Sequence, residues 1–220
     1  MKNKERQFEP SYLVVEGPIG VGKTSLARRL AESFNTDLVL EAADNNPFLE
    51  HFYNNPKQAA LSTQLFFLLQ RAQQLNELRQ TDMFQPVRVA DFLIEKDHLF
   101  AKLTLDRDEF KLYEQVYSHL TLDTIKPDLV IYLQAPVEVL LDRIRKRGIP
   151  YEQKIEAAYL QRLVDAYTRF FYDYGDSPLL IVNAADINFV DNEADYRQLL
   201  EQISRTRSGR HYFNPAPLTI

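Results

Sequence analysis

The chain of 220 residues contains no cysteine, so it offers no disulfide framework, no thiolate metal site and no cysteine nucleophile. Its four histidines are scattered and form no metal-ligand cluster. No apolar run approaches the roughly 18 residues that suggest a membrane span. The charged start, Met1 to Pro10, lacks the apolar stretch of a secretory signal. Positive charge is not in excess either. The 26 Lys and Arg face 31 Asp and Glu, and a net charge of −5 argues against sequence-independent binding to nucleic acid. The expectation is a cytoplasmic chain whose partners are neither nucleic acid nor membrane. What remains is an ordinary globular composition, 45% apolar, at a length that suits one domain with a real core.

Hydrophobic periodicity alternates along the chain. Short apolar runs at Tyr12–Glu16, Leu38–Glu41, Val87–Asp91, Asp128–Leu133 and Leu179–Val182 read as buried strands. Helical spacing is expected over Thr24–Phe34, Pro47–Tyr53, Lys57–Gln80, Asp108–Ile125, a segment ending at Arg147, Tyr151–Tyr174 and Glu193–Arg205. Strands separated by helices imply right-handed crossovers and a parallel sheet covered on both faces. Ligands gather beyond the carboxyl ends of such strands, which here are Glu16–Gly17, Glu41 and Asp91.

Gly17, Pro18, Ile19, Gly20, Val21, Gly22, Lys23 and Thr24 fit G-x-x-x-x-G-K-[ST], between an expected strand and an expected helix. The glycines let backbone N–H groups turn towards phosphate oxygens, and the helix N-terminus adds positive potential. Lys23 supplies a charge at the β and γ phosphates, and the Thr24 hydroxyl can ligate Mg²⁺. These eight residues are therefore the expected ATP-binding loop. No guanine-reading N-K-x-D occurs, and Val89-Ala90-Asp91-Phe92 offers one acid where a motor ATPase shows two. A short chain with a basic segment, Arg143-Ile144-Arg145-Lys146-Arg147, fits a small-molecule kinase better.

Beyond the loop, Glu41 with Asn46-Pro47-Phe48, Gln64 with Arg71, Asp91 with Asp97, and Arg143, Arg147 and Glu152 follow one another at a specific spacing. On these segments the chain resembles the deoxynucleoside kinases, especially the bacterial deoxyadenosine/deoxyguanosine kinases, from about Tyr12 to Ile203. The resemblance implies a catalytic Glu41 that takes the proton from the nucleoside 5′-hydroxyl. It implies base reading by Gln64, Arg71 and Asp97, and contacts of Tyr53 and Glu152 with the sugar 3′-hydroxyl. Arg143 and Arg147 become lid arginines on the transferring phosphoryl group, catalytic together with Lys23. Asp91 joins Thr24 at Mg²⁺, and Ala185–Phe189 falls where the family wraps a loop around adenine. Phe48, Phe66 and Phe67 are candidate packing surface around a base.

Two departures stand out. Ala42 follows Glu41 where the family shows proline, and Phe92-Leu93 follows Asp91 where it shows Arg-Ser. One cation near the acceptor 5′ end is thereby lost or replaced. The expected architecture is an α/β P-loop kinase fold, a five-stranded parallel sheet flanked by helices. One domain covers 1–205 with an Arg-rich lid at about 143–155, followed by a flexible tail over 206–220. The expected activity is ATP- and Mg²⁺-dependent phosphorylation of a 2′-deoxynucleoside, deoxyadenosine or deoxyguanosine, by a homodimer. A thymidylate-type monophosphate kinase and a nucleotide-binding switch remain alternatives.

Overall fold

The first strand, β1 (Tyr12–Glu16), is the middle of the molecule because Leu13, Val14 and Val15 have no exposed surface on either face. The computed structural model describes residues 11–81, 88–120 and 125–215. Met1–Pro10, Val87 at the start of the expected third strand, residues 121–124 of an expected helix and 216–220 of the tail lie outside them. β1 is flanked by β3 (Arg88–Ala90) and β4 (Leu129–Gln134), with Leu13 opposite Val89 on one side and Leu129 on the other. β2 (Asp37–Val39) and β5 (Leu179–Asn183) lie outside these, and β6 (Arg210–Phe213) closes one edge. The order is β2-β3-β1-β4-β5-β6, all parallel.

The sheet thus has six strands, which corrects the expected five. Residues 210–213 were expected in a flexible tail, and they pair with β5 instead. Gly209, at φ +68°, turns the chain back, and the Arg210 guanidinium donates to the carbonyls of Phe171, Tyr172 and Tyr174 at 3.0, 2.7 and 3.2 Å. Side chains of Arg210, His211 and Tyr212 are exposed on an edge strand, so no apolar run marks it.

Helices α1 (Lys23–Phe34), α2 (Leu49–Asn54), α3 (Pro56–Thr81), α4 (Lys96–Thr104), α5 (Arg107–Leu120), α6 (Val137–Arg147), α7 (Ala157–Asp173) and α8 (Glu193–Arg205) connect the strands. Helix α4 has no counterpart among the expected elements. The expected helix from Tyr151 is interrupted: a 3-10 turn, Pro150–Lys154, precedes α7, and Ile155 and Glu156 are extended between them. α6 ends at Arg147, as the sequence pattern expects, and Gly148 caps it in a left-handed conformation. On α3 the buried positions include Ala60, Gln64, Leu68, Arg71, Ala72 and Leu75, so the polar Gln64 and Arg71 are carried on a largely apolar face. Tyr132 of β4 stacks on Phe171 of α7 with ring centroids 4.1 Å apart, which fixes α7 against the sheet.

Candidate active site

β1 ends at Glu16, and the chain then turns through Gly17, Gly20 and Gly22 at φ +151°, +83° and +104° before α1 begins. These glycines are required by space as well as by backbone. A Cβ on Gly17 would stand 2.5 Å from the Leu133 carbonyl oxygen. One on Gly20 would stand 2.8 Å from Ile144 Cγ1 and 2.9 Å from the Leu140 oxygen of α6. We expect Gly20→Ala to lower stability by about 2–4 kcal/mol, from left-handed strain plus overpacking. Gly148→Ala, with nothing within 4 Å of the added carbon, carries the strain alone and should lose about 1–2 kcal/mol, both variants being measured by urea titration.

The loop forms one wall of a cavity of about 610 Å³, lined further by Arg143, Arg147 and Ala185–Asp191. That volume is in the range of sites for small organic ligands. Lys23 Nζ donates to the Gly17 and Pro18 carbonyls at 2.8 and 3.3 Å, which holds it inside the loop. Burial lowers its pKa, and the neighbouring ammonium of Lys96 adds to the shift. The far wall is fastened by two arginines. Arg29 of α1 donates to the Phe189 and Val190 carbonyls at 2.6 and 2.7 Å. Arg143 donates to Val21 O at 3.1 Å and Ala184 O at 2.6 Å, so it bridges the loop to the segment that follows β5.

A second cavity, of about 150 Å³, opens on the other side of the loop. Gly20, Lys23, Thr24 and Arg147 line both. Its walls carry Glu41, Tyr53, Gln64, Arg71, Asp91 and Glu152, the residues singled out in the sequence, together with Lys96, Phe67 and Tyr167. Glu41 lies two residues beyond β2 rather than at its end. Its N–H donates to Asp91 Oδ1 at 2.7 Å instead of continuing the strand ladder. The other Asp91 oxygen accepts from Thr24 Oγ1 at 2.5 Å.

Several charges on this cavity are paired. The Glu41 carboxylate accepts from Arg71 and from Lys96, the latter at 2.7 Å. Burial alone would push its pKa up, but Arg71, Lys96 and Lys23 overcome that and hold it well below the usual carboxylate range. Arg71 also pairs with Asp97, which has no exposed surface and reaches the cavity only through that guanidinium. Phe67 lies under Arg71, with its ring centroid 4.9 Å from the guanidinium carbon. Phe48 and Phe66 pair edge-on with each other and are not on the wall. In the segment expected to form the lid, Arg147 donates to Glu152 at 2.6 Å, and Tyr151 donates to Asp44 at 2.7 Å and stacks on Tyr53. Burial raises the pKa of Glu152, and Arg147 opposes it.

Sequence reasoning missed Glu16 and Lys96. Glu16 is a fully buried carboxylate that accepts from Gly17 N and Leu93 N, both at 2.8 Å, and from Tyr167 Oη at 3.0 Å. The signal available was an acid at the end of an apolar strand, which demands a buried donor set. Thr24 and Asp91 together offer hard oxygen ligands suited to Mg²⁺. Among the described residues no group of three or more His, Cys, Asp or Glu could hold a metal alone, so phosphate and water oxygens would complete its shell.

Residues 13–207 match the family model described as deoxynucleoside kinase. The chain belongs to the deoxynucleoside kinase family. It is 36% identical over 200 residues to the deoxyguanosine kinase of Bacillus subtilis, covering 87% of this chain and 95% of that enzyme. It is 32% identical over 205 residues to the deoxyadenosine kinase of Lactobacillus acidophilus, covering 87% and 94%. The deoxyadenosine kinase from M. mycoides with bound dATP superposes with a TM-score of 0.75 at 23% identity, over 88% of this chain and 98% of that one. That likeness establishes the shared fold. As a deoxynucleoside kinase the chain is a phosphotransferase with ATP as donor.

Proposed function

We propose that this kinase transfers the γ-phosphoryl group of MgATP to the 5′-hydroxyl of deoxyguanosine or deoxyadenosine. The reading rests on the shared wall of the two cavities. A phosphoryl group cradled by Gly20, Lys23 and Thr24 faces the cavity that contains Glu41. Glu41 takes the hydroxyl proton as the 5′ oxygen attacks phosphorus, and ADP leaves with the former bridging oxygen. Lys23 and the loop amides bind the donor phosphates, and Arg143 and Arg147 stabilise the moving group from the lid side. Mg²⁺, held through Thr24 and Asp91, would neutralise charge on the phosphate oxygens.

On the acceptor side, the Gln64 amide and the Arg71–Asp97 pair meet the base, and Tyr53 and Glu152 meet the 3′-hydroxyl. The purine preference is supported by the named activities of the relatives from Bacillus subtilis and Lactobacillus acidophilus. We also place the enzyme in the cytoplasm as a homodimer. Leu69 of α3 and Leu112 of α5, each about half exposed at 53% and 49%, are apolar surface available for a second subunit.

A transfer assay with γ-labelled ATP and each deoxynucleoside or monophosphate tests the reading. Label on deoxyguanosine or deoxyadenosine supports it; label only on a monophosphate, or none with ATP bound, overturns it. Tyr53→Phe tests the sugar contact. Burial keeps the Tyr53 phenol protonated far above neutral pH, so it is a constant hydrogen-bonding group. Its removal should narrow the preference for 2′-deoxy over 2′,3′-dideoxy nucleosides by about tenfold in kcat/KM. An unchanged ratio would take Tyr53 away from the 3′-hydroxyl.

A further inference from the structure

Lys96 is the most conspicuous charge that neither the motif nor the family resemblance accounts for. It is 2% exposed and lines the acceptor cavity. It stands in the first turn of α4, where the positive end of the helix dipole disfavours a cation. Helix stability therefore does not explain it, and burial opposes it. Its partners do explain it. Nζ donates to Glu41 Oε2 at 2.7 Å and lies 3.7 Å from Glu16 Oε2. Glu16 is itself fixed by the amides of Gly17 and Leu93 and by Tyr167. A continuous chain of contacts thus runs from the first amide of the phosphate loop, through Glu16 and Lys96, to the carboxylate of Glu41.

We propose that Lys96 is a positioning residue that sets Glu41 at a fixed place relative to the phosphate loop. It rests on the reading of Glu41 as the base. The Lys96 ammonium occupies one lone-pair site of Oε2 and leaves others free for the substrate hydroxyl. The carboxylate is thereby held where the 5′ oxygen meets the phosphoryl group, in a reaction that depends on alignment rather than on covalent chemistry. The chain also supplies its own cation next to the base, at a location where Phe92 follows Asp91 and carries no charge.

A double-mutant cycle tests this with Lys96→Met and Lys96→Arg, each made in the native enzyme and in Glu41→Gln. ATP affinity is read by equilibrium binding, and folding by thermal melting. Misplacing the base should lower kcat by roughly 100-fold in Lys96→Met while KM for ATP stays within about threefold. Lys96→Arg should recover about tenfold of that loss, because its fork can still reach a carboxylate oxygen. In the Glu41→Gln background, Lys96→Met should change kcat by less than about threefold. The same full loss in both backgrounds would overturn the proposal, since Lys96 would then act independently of Glu41. Retained turnover in Glu41→Gln alone would instead sink the reading of Glu41 as the base. Should Lys96→Met not fold, Lys96→Gln keeps one N–H donor and enters the same cycle with the same two outcomes.

Discussion

Glu41→Gln is expected to lower turnover by about two to four decades while ATP affinity stays within about threefold. Single-turnover transfer of label from ATP, alongside equilibrium nucleotide binding, measures both. Glutamine keeps the shape and one acceptor oxygen but cannot take a proton. Glu41 lines the smaller cavity, proposed for the acceptor, and not the larger one, proposed for ATP, which is why the two readouts should separate. Equal turnover in the variant would remove Glu41 from the mechanism.

The environment of Glu41 sets how it can act. Arg71 and Lys96 hold the carboxylate ionised well below its usual range, so it is ready at neutral pH but intrinsically a weak base. Acting as the proposed base, it would pull on the hydroxyl proton effectively only as that proton grows acidic, late in a loose transition state. The same shift gives a stability prediction by linkage. The folded-state pKa is lowered, so the contribution of Glu41 to stability is complete above the unfolded carboxylate value and is lost as pH falls towards the folded one. Glu41→Gln should accordingly unfold with less dependence on pH on the acid side of that range.

The parts of this site that could be read from sequence are those whose chemistry is local. The loop from Gly17 to Thr24 carries its own backbone requirements: Gly17 and Gly22 sit with positive φ where the motif puts glycine, and Gly20 between them has positive φ as well. Gln64 and Arg71 share the inner face of α3, as a seven-residue spacing on a helix demands. What escaped depends on contacts between distant segments. Glu41 meets Arg71 across 30 residues and Lys96 across 55, and nothing beside any of the three announces it. Helix α4 starts with two buried charged residues, Lys96 and Asp97, so no clean apolar stripe marks it. The sequence expects Arg143 as a lid cation and gives no sign of its bridge between Val21 and Ala184, which only the juxtaposition of α6 and the end of β5 creates.

Lys23→Met is expected to lower kcat/KM for ATP by about three decades, the scale of losing one aligned donor to the transferring phosphate with some binding besides. Lys23 is buried among Glu16, Glu41 and Asp91, which favour its charge, while burial and Lys96 oppose it. Phosphates of an ATP bound as proposed would add negative charge on the remaining side and favour the ammonium further. Other cations on the donor wall do not substitute easily. Arg143 is engaged with two carbonyls, and Arg147 with Glu152. Lys23→Arg should recover little, because a planar fork does not fit a site built by the Gly17 and Pro18 carbonyls around a point charge. If Lys23→Met kept kcat/KM within about tenfold of the native enzyme, the phosphate charge would have to be carried by the lid arginines. Arg147→Met in that background would then lose the remainder.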